Sequence, residues 1–339
     1  MTPDLEPLAP EEAVEMYLDA RRDELTKETY RKQEQRLESF VYFCDDKDIQ
    51  NLNNLSGRDL YRYRLWRKEG NDYYDSVKNI TVRANLATLR TFLGFAESID
   101  AVPTGMKLKV QLPDVENEST DTFLDADRAE EILEHLDRYE YASRTHVVFA
   151  IMWRTAARAG SVRALDLEDF DPEEPCLMFR HRPETGTPLK NKERGERDVH
   201  IDSYYAQVIQ DYIDQNRFER TDEHGREPLL TTEQGRPVTP TFRRNCYRVT
   251  IPCLTGPCPH NRDPETCEWT EKDERSKCPS SCGCHALRRG SITDHRNRGI
   301  PAELVSDRVD ATPEVIDQHY DKRTERERMR VRRRIIEER

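Results

Sequence analysis

Apolar residues that recur every three to four positions run through most of the first hundred residues, and a period of that length admits amphipathic helices and disfavours strands. In YRKQEQRLESFVYFC the positions Tyr30, Leu37, Phe40, Val41 and Cys44 share one face, and in ITVRANLATLRTFLGFAESI so do Leu86, Leu89, Leu93 and Ala96. Between these stretches, Ser56 and Asp59 fit an N-cap followed by an acidic first turn. Residues 101–122 lose the period and carry two prolines among polar residues. They read as a linker, bounded at 105–122, between a helical domain at 8–104 and a second domain at 123–325. A new helix begins at FLDADRAEEILEHL.

The second domain opens helical with HVVFAIMWRTAARAGSVRAL and then changes rhythm. CLMFRHR, TPLKNK and RDVHID are short and separated by the polar turns PETG and ERGE, the pattern of a small antiparallel meander. Helices resume at YYAQVIQDYIDQ. Strands confined to one island among helices make the class mainly α with a small antiparallel β-sheet. Residues 326–339 read as a charged helical tail.

No apolar run approaches the ~20 residues needed to cross a membrane, and the N-terminus lacks the basic and apolar regions of a secretory signal. The expectation is a cytoplasmic protein, where disulfides are rare. The 54 Lys and Arg against 66 Asp and Glu give a net charge of −12, which is hostile to a uniformly basic nucleic-acid coat. Net charge is a global quantity, however, and the basic residues are 42 arginines against 12 lysines. An acidic surface with scarce lysine is the halophile style of solubility. Arginine within it keeps its two-pronged grip on phosphate.

Of nine cysteines, Cys44, Cys176 and Cys246 are scattered and read as core. The other six, Cys253, Cys258, Cys267, Cys278, Cys282 and Cys284, crowd into an insert at 253–284 with few large apolar residues. Burial cannot hold such a segment, whereas tetrahedral thiolate coordination of a structural zinc contributes folding energy directly. The spacing points to Cys258, Cys267, Cys278 and Cys282 as ligands, with Cys253, His260 and Cys284 as alternatives and free thiols in a loop as the competing reading.

Four polar residues remain that neither helix nor sheet explains: Arg158 at the end of an apolar helix, His285 and Arg288 in HALRRGSITDH, and Tyr320 in VIDQHYDKR. In this order they resemble the catalytic domain of the tyrosine recombinase (phage integrase) family, in its acidic, cysteine-bearing haloarchaeal form. Arg158 is followed seven positions later by Leu165 and thirteen later by Asp171, as in the first family box; His285 and Arg288 form the H-x-x-R of the second; Tyr320 follows Arg288 by 32 residues. The resemblance spans roughly residues 10–325.

The resemblance implies that Tyr320 attacks a DNA phosphodiester and forms a covalent 3′-phosphotyrosine without ATP or any nucleotide cofactor. Arg158 and Arg288 would clamp the charge of the transition state, and His285 would favour loss of the phenol proton. A hairpin lysine would protonate the leaving 5′ hydroxyl. LKNKERGERDVHI offers Lys192, seven residues before Val199 and in the usual register, or Lys190 if the turn is longer; two residues apart, they would share a strand face. Because H-x-x-R claims His285 for chemistry, the cysteines before it are left for the metal.

The helical domain resembles the family's DNA-clamping bundle, and RDLYRYRLWRKEG interleaves arginines with Tyr61, Tyr63 and Trp66, suited to phosphate and sugar contacts. The implied partner is duplex DNA, bound as a homotetramer on synapsed sites, with a monomer or dimer when free; the tail would dock on a neighbouring protomer or stay solvated. Two positions depart from the family pattern. Ser161 stands where an acidic residue is common, and Ala311 where His or Trp usually precedes the nucleophile, with His319 beside Tyr320. A DNA-relaxing enzyme of the type IB kind and a catalytically impaired, zinc-bearing DNA-binding regulator stay open as alternatives.

Overall fold

In the computed structural model, which describes residues 5–115 and 122–337, the helical period of the first hundred residues becomes α1 (Pro10–Ala20), α2 (Lys27–Asp46), α3 (Gly57–Glu69) and α4 (Asn79–Ser98). They belong to the first of two units into which the chain divides, Met1–Thr120 and Asp121–Arg339. The expected positions Leu37, Phe40, Cys44, Leu86, Leu89, Leu93 and Ala96 are buried together, while Tyr30 and Val41 pack at the margin. Ser56 and Asp59 form a reciprocal capping box that starts α3.

Two expectations for this unit change. The segment bounded as a linker, 105–122, is in part core: Met106 and Val110 are buried in the bundle, and a 3-10 turn, Met106–Lys109, packs on α4. Its residues 116–121 lie outside the described residues. Of the aromatic residues interleaved with arginine, Tyr61 is exposed, but Tyr63 is buried and pairs its hydroxyl with Ser39 (2.7 Å), and Trp66 packs on Phe43, Tyr63 and Tyr74. Those two rings hold the bundle together and do not form an outward face.

The second unit is built around α6 (Arg144–Thr155), in which Val147 to Trp153 are all buried, as expected of a helix that is apolar on every side. Around it pack α5 (Ala126–Tyr139), α8 (Ser203–Gln215), α9 (Thr239–Val249) and α10 (Cys284–Asn297). Short α7 (Ala159–Ala164) follows α6. The antiparallel sheet runs β1-β2-β3, with β1 (Phe170–Asp171), β2 (Cys176–Phe179) and β3 (Arg197–His200); Leu177 lies opposite Phe170 on one side and Val199 on the other, all on the buried face.

The stretch TPLKNK, expected as a strand, is a loop that ends in a 3-10 turn, Lys192–Gly195; the third strand is instead the two-residue β1. Lys190 and Lys192 therefore share no strand face. Beyond α10 come α11 (Ala302–Val309), the single turn α12 (Pro313–Val315), a π-helical turn Ile316–Tyr320, and α13 (Glu325–Glu337). The charged tail lies against its own chain: Arg334 donates to the carbonyl of Asn297 (2.9 Å). Among the described residues no helix is long and apolar enough to cross a membrane.

Contact between α10 and the start of the unit is made through backbone. A Cβ added at Gly290 would stand 1.9 Å from the carbonyl oxygen of Leu124 and 3.0 Å from the ring of Trp153. Gly290→Ala must push α10 off this seat, and overpacking of this kind costs about 1–3 kcal/mol. A lower urea midpoint at unchanged slope is the expected result; an unchanged midpoint would show that the seat yields.

Candidate active site

The site begins where α6 stops. Ala156 takes a left-handed conformation (φ 51°), which breaks the helix, and Arg158 then caps α7 in extended backbone. The Arg158 guanidinium donates to the Asp310 carboxylate (2.6 Å) and to the Asp310 carbonyl (2.9 Å). Asp310 ends α11, also left-handed (φ 55°), a conformation that Asp tolerates better than most side chains. Its other carboxylate oxygen accepts from the Asn191 amide (2.7 Å), so one acidic residue ties Arg158 to the lysine loop.

Arg288, on α10, is only 1% exposed. It donates to the carbonyls of Ala156 (2.5 Å) and Val309 (2.8 Å), and its guanidinium carbon stands 5.0 Å from the centre of the Tyr320 ring. Among the described residues its buried Nε has no hydrogen-bond partner. Burial, with the nearby charge of Arg158, pulls its pKa down to about 10, so the cation is costly where it sits.

Tyr320 closes the π-helical turn, half-buried, at the margin of a small cluster formed by Ala156, Ile292, Val305, Val309 and Ile316. Thr293 donates its hydroxyl to the Tyr320 carbonyl (3.1 Å), and the next residue, buried Asp321, is gripped by Arg323 (2.6 Å). These contacts fix the main chain on the C-terminal side of the phenol. Burial alone would raise the Tyr320 pKa. The charge and hydrogen bond of Arg288, followed by the charges of Arg158 and Lys190, outweigh it and hold the phenol below its ordinary value.

His285 is the second residue of α10, at the surface, and its pKa is lowered by partial burial and then by the cations Arg288, Arg289, Lys190 and Arg158. It is therefore neutral near pH 7 and able to accept a proton. Of the two candidate lysines, Lys190 contributes charge at both Tyr320 and His285. Lys192, the residue in the expected register, takes a left-handed conformation (φ 54°) at the head of the 3-10 turn. Arg158, His285, Arg288, Tyr320 and Lys190 thus form one electrostatic neighbourhood. Ser161 is buried in α7, Ala311 packs in the apolar cluster beside Tyr320, and His319 is exposed.

The cysteine expectation changes in membership. Cys253, Cys258, Cys267 and Cys278 line one small cavity. Cys282 is elsewhere, in the main core, where its backbone N–H donates to the Thr250 hydroxyl (2.7 Å), which in turn donates to the Cys282 carbonyl (3.1 Å). Cys284 sits against Cys246, sulfur to sulfur 3.4 Å, and His260 pairs with the Ser280 hydroxyl (2.9 Å). Among the described residues no three His, Cys, Asp or Glu side chains already stand in a metal-holding group.

No protein-family model and no curated protein matches this sequence. Solved structures do match. The Tn1549 transposon integrase in complex with transposon right-end DNA aligns with a TM-score of 0.68 at 16% identity, over 97% of this chain and 100% of that one. A lambda integrase dimer bound to a COC′ core site aligns at 0.64 and 11% identity, over 94% of this chain and 78% of that one. The chain has the tyrosine-recombinase fold.

Within this recombinase fold, sequence reasoning missed Asp310, Thr293 and Asp321. Asp310 carried one usable signal: an acidic residue between a helix and the following T-P is a plausible left-handed cap. Its partner Arg158 lies 152 residues away and is invisible to any local pattern.

The balance at Tyr320 is testable. Arg288→Met removes the dominant charge while keeping an apolar stem, so the Tyr320 phenol should titrate at higher pH than in the unaltered protein. The measurement is the tyrosinate ultraviolet difference signal, with Tyr320→Phe subtracted to isolate one ring among 14 tyrosines. Attack by tyrosinate then gains with pH up to the phenol pKa, and the variant should reach its plateau later. A titration unmoved by Arg288→Met would remove Arg288 as the cause.

Proposed function

We propose that the protein is a site-specific DNA recombinase or integrase that cleaves and rejoins duplex DNA through a covalent 3′-phosphotyrosine, acting as a homotetramer on two synapsed sites. The observation that carries this reading is the Tyr320 phenol held against buried Arg288, with Arg158 and Lys190 in charge range, in a chain of this fold. The integrases that share the fold are DNA-bound in their solved structures, one of them as a dimer.

The chemistry follows from the groups present. A phosphodiester is broken without hydrolysis only if a side chain becomes the nucleophile and keeps the bond's energy in a new ester, which a tyrosinate does. As Tyr320 Oη bonds to phosphorus and the 5′ oxygen departs, negative charge builds on the non-bridging oxygens. Arg288, buried against the phenol, supplies a fixed positive charge beside that site, and Arg158 can exchange its Asp310 carboxylate for phosphate without leaving its place. His285, neutral near pH 7, is suited to receive the phenol proton. Lys190, whose charge acts on both Tyr320 and His285, is the lysine we assign to return a proton to the departing 5′ oxygen. Rejoining is the same sequence reversed, with a 5′ hydroxyl attacking the phosphotyrosine and Tyr320 leaving.

A suicide substrate nicked beside the cleavage point should trap the unaltered protein on a 3′ phosphate, at one fixed sequence. Tyr320→Phe should bind the DNA and leave no adduct. Arg158→Ala should slow cleavage by about 10²-fold or more, the loss expected for one donor to a transition-state charge. Lys190→Ala should also slow cleavage, and a substrate with sulfur in place of the bridging 5′ oxygen, a leaving group that needs no acid, should recover most of that loss. Trapping of Tyr320→Phe at the normal rate would overturn the assignment of the nucleophile. Cleavage scattered over many sequences would favour DNA relaxation over recombination.

A further inference from the structure

Between α9 and α10 the chain makes a long excursion that the recombinase chemistry leaves unexplained. From Ile251 to Ser280, Cys278 is the only buried residue, and the segment's regular structure is limited to 3-10 turns at Pro252–Leu254, Glu268–Thr270 and Arg275–Lys277. Its two ends are held together at the base: Arg128 donates to the carbonyls of Ser280 (2.8 Å) and Thr250, and Thr250 pairs with Cys282. Farther out the segment is held only by contacts among exposed or half-buried polar groups, such as Arg275 donating to the Thr270 carbonyl (3.1 Å) and His260 pairing with the Ser280 hydroxyl (2.9 Å). There the largest apolar side chain, Trp269, is covered by Arg262, whose guanidinium carbon lies 3.7 Å from the ring centre. A span of this length with one buried residue cannot meet the entropy of ordering from burial alone.

What the excursion does have is sulfur. Each of the three 3-10 turns carries or borders a cysteine: Cys253 lies inside the first, Cys267 precedes the second and Cys278 follows the third. Cys258 comes from the loop between the first two. All four line one cavity of about 10 Å³. That is room for one atom-sized guest.

We propose that Cys253, Cys258, Cys267 and Cys278 bind one zinc ion as a closed tetrathiolate site that shapes this excursion. Four thiols, three from separate turns and one from the loop between two of them, around a one-atom cavity match the donor number and softness that zinc takes in structural sites, with bonds of about 2.3 Å. On binding, the thiols release their protons to solvent and converge on the ion, which makes the site itself depend on the metal. The ligand set differs from the one the sequence spacing favours, because Cys282 serves the base of the excursion and Cys253 takes its place. Coordination within the excursion and the Thr250–Cys282 pair at its base would together fix the chain that enters α10, whose second residue is His285.

The test needs no DNA. The full-length protein, purified without chelators, should contain one zinc per chain by elemental analysis. Exchanged into cobalt(II), it should show the intense thiolate-to-cobalt charge-transfer absorption and the visible bands of a tetrahedral four-sulfur site. Cys253→Ser should weaken the charge-transfer absorption and lower metal content, whereas Cys282→Ser should leave the four-sulfur spectrum intact. Because the spectrum is read first on the unaltered protein, a variant that fails to fold does not decide the matter. Absence of zinc together with no thiolate absorption on cobalt titration would overturn the proposal. Loss of the four-sulfur spectrum in Cys282→Ser with its retention in Cys253→Ser would overturn this ligand set.

Discussion

A guanidinium sealed from solvent with two carbonyls and a phenol for company is the contact on which the rest of the second unit depends. Removing such a cation from water costs several kcal/mol even after relaxation. Arg288 offsets that cost by drawing three separate parts of the chain to itself: Ala156 at the break after α6, Val309 at the end of α11, and Tyr320 at the end of the π-helical turn. The left-handed Ala156 serves that end, since the same break that frees its carbonyl also releases Arg158. Under the proposed reading, the charge of Arg288 is held for a DNA phosphate that comes to lie beside Tyr320. The buried charge is then destabilising in the free protein and satisfied when DNA is bound, which is how a site prepares donors for charge that appears only during reaction.

The arginine excess has a plainer explanation than phosphate binding at every turn. Asp166, buried, receives Arg226, Arg236 (2.6 Å) and Arg182 (3.6 Å), and Asp169 receives Arg182 again (2.8 Å). This network fastens the loop around residues 222–236 to the start of the sheet. Arg248 pairs with Glu140 (2.6 Å) and Arg154 with Glu130 (2.8 Å) in the same manner. Buried or half-buried pairs favour the planar, forked guanidinium over the ammonium of lysine. Many of the arginines are therefore tied into the fold, and the net charge of −12 says little about the small region where Arg158, Arg288 and Lys190 converge.

Much of this was legible in the residues themselves. Period and capping were enough for α2 to α4, because burial of one helical face and the Ser56–Asp59 box are local properties. The candidate residues of the site came from a resemblance to a known family, carried by their order and spacing, and not from any local pattern of burial or charge. Three things were not legible. TPLKNK alternates like a strand, yet the chain uses it as a loop, and pairing falls to Phe170–Asp171. Lys190 and Lys192 differ by a turn whose length no local pattern states. Tyr63 and Trp66 looked outward by composition but were claimed by an aromatic cluster whose members come from α2 and from the chain after α3. In each case partners distant in sequence decided the outcome. The cysteines follow the same rule, for spacing alone could not tell that Cys282 belongs with Thr250.

The central claim is that one phenol, Tyr320, carries the DNA between cleavage and rejoining. Mass spectrometry of the nucleotide-bearing peptide, taken after trapped complexes are digested with protease and nuclease, tests it most directly. The account predicts a nucleotide linked through its 3′ phosphate to Tyr320 and to no other residue. A nucleotide on a different side chain, or cleaved DNA with no peptide attached, would contradict it.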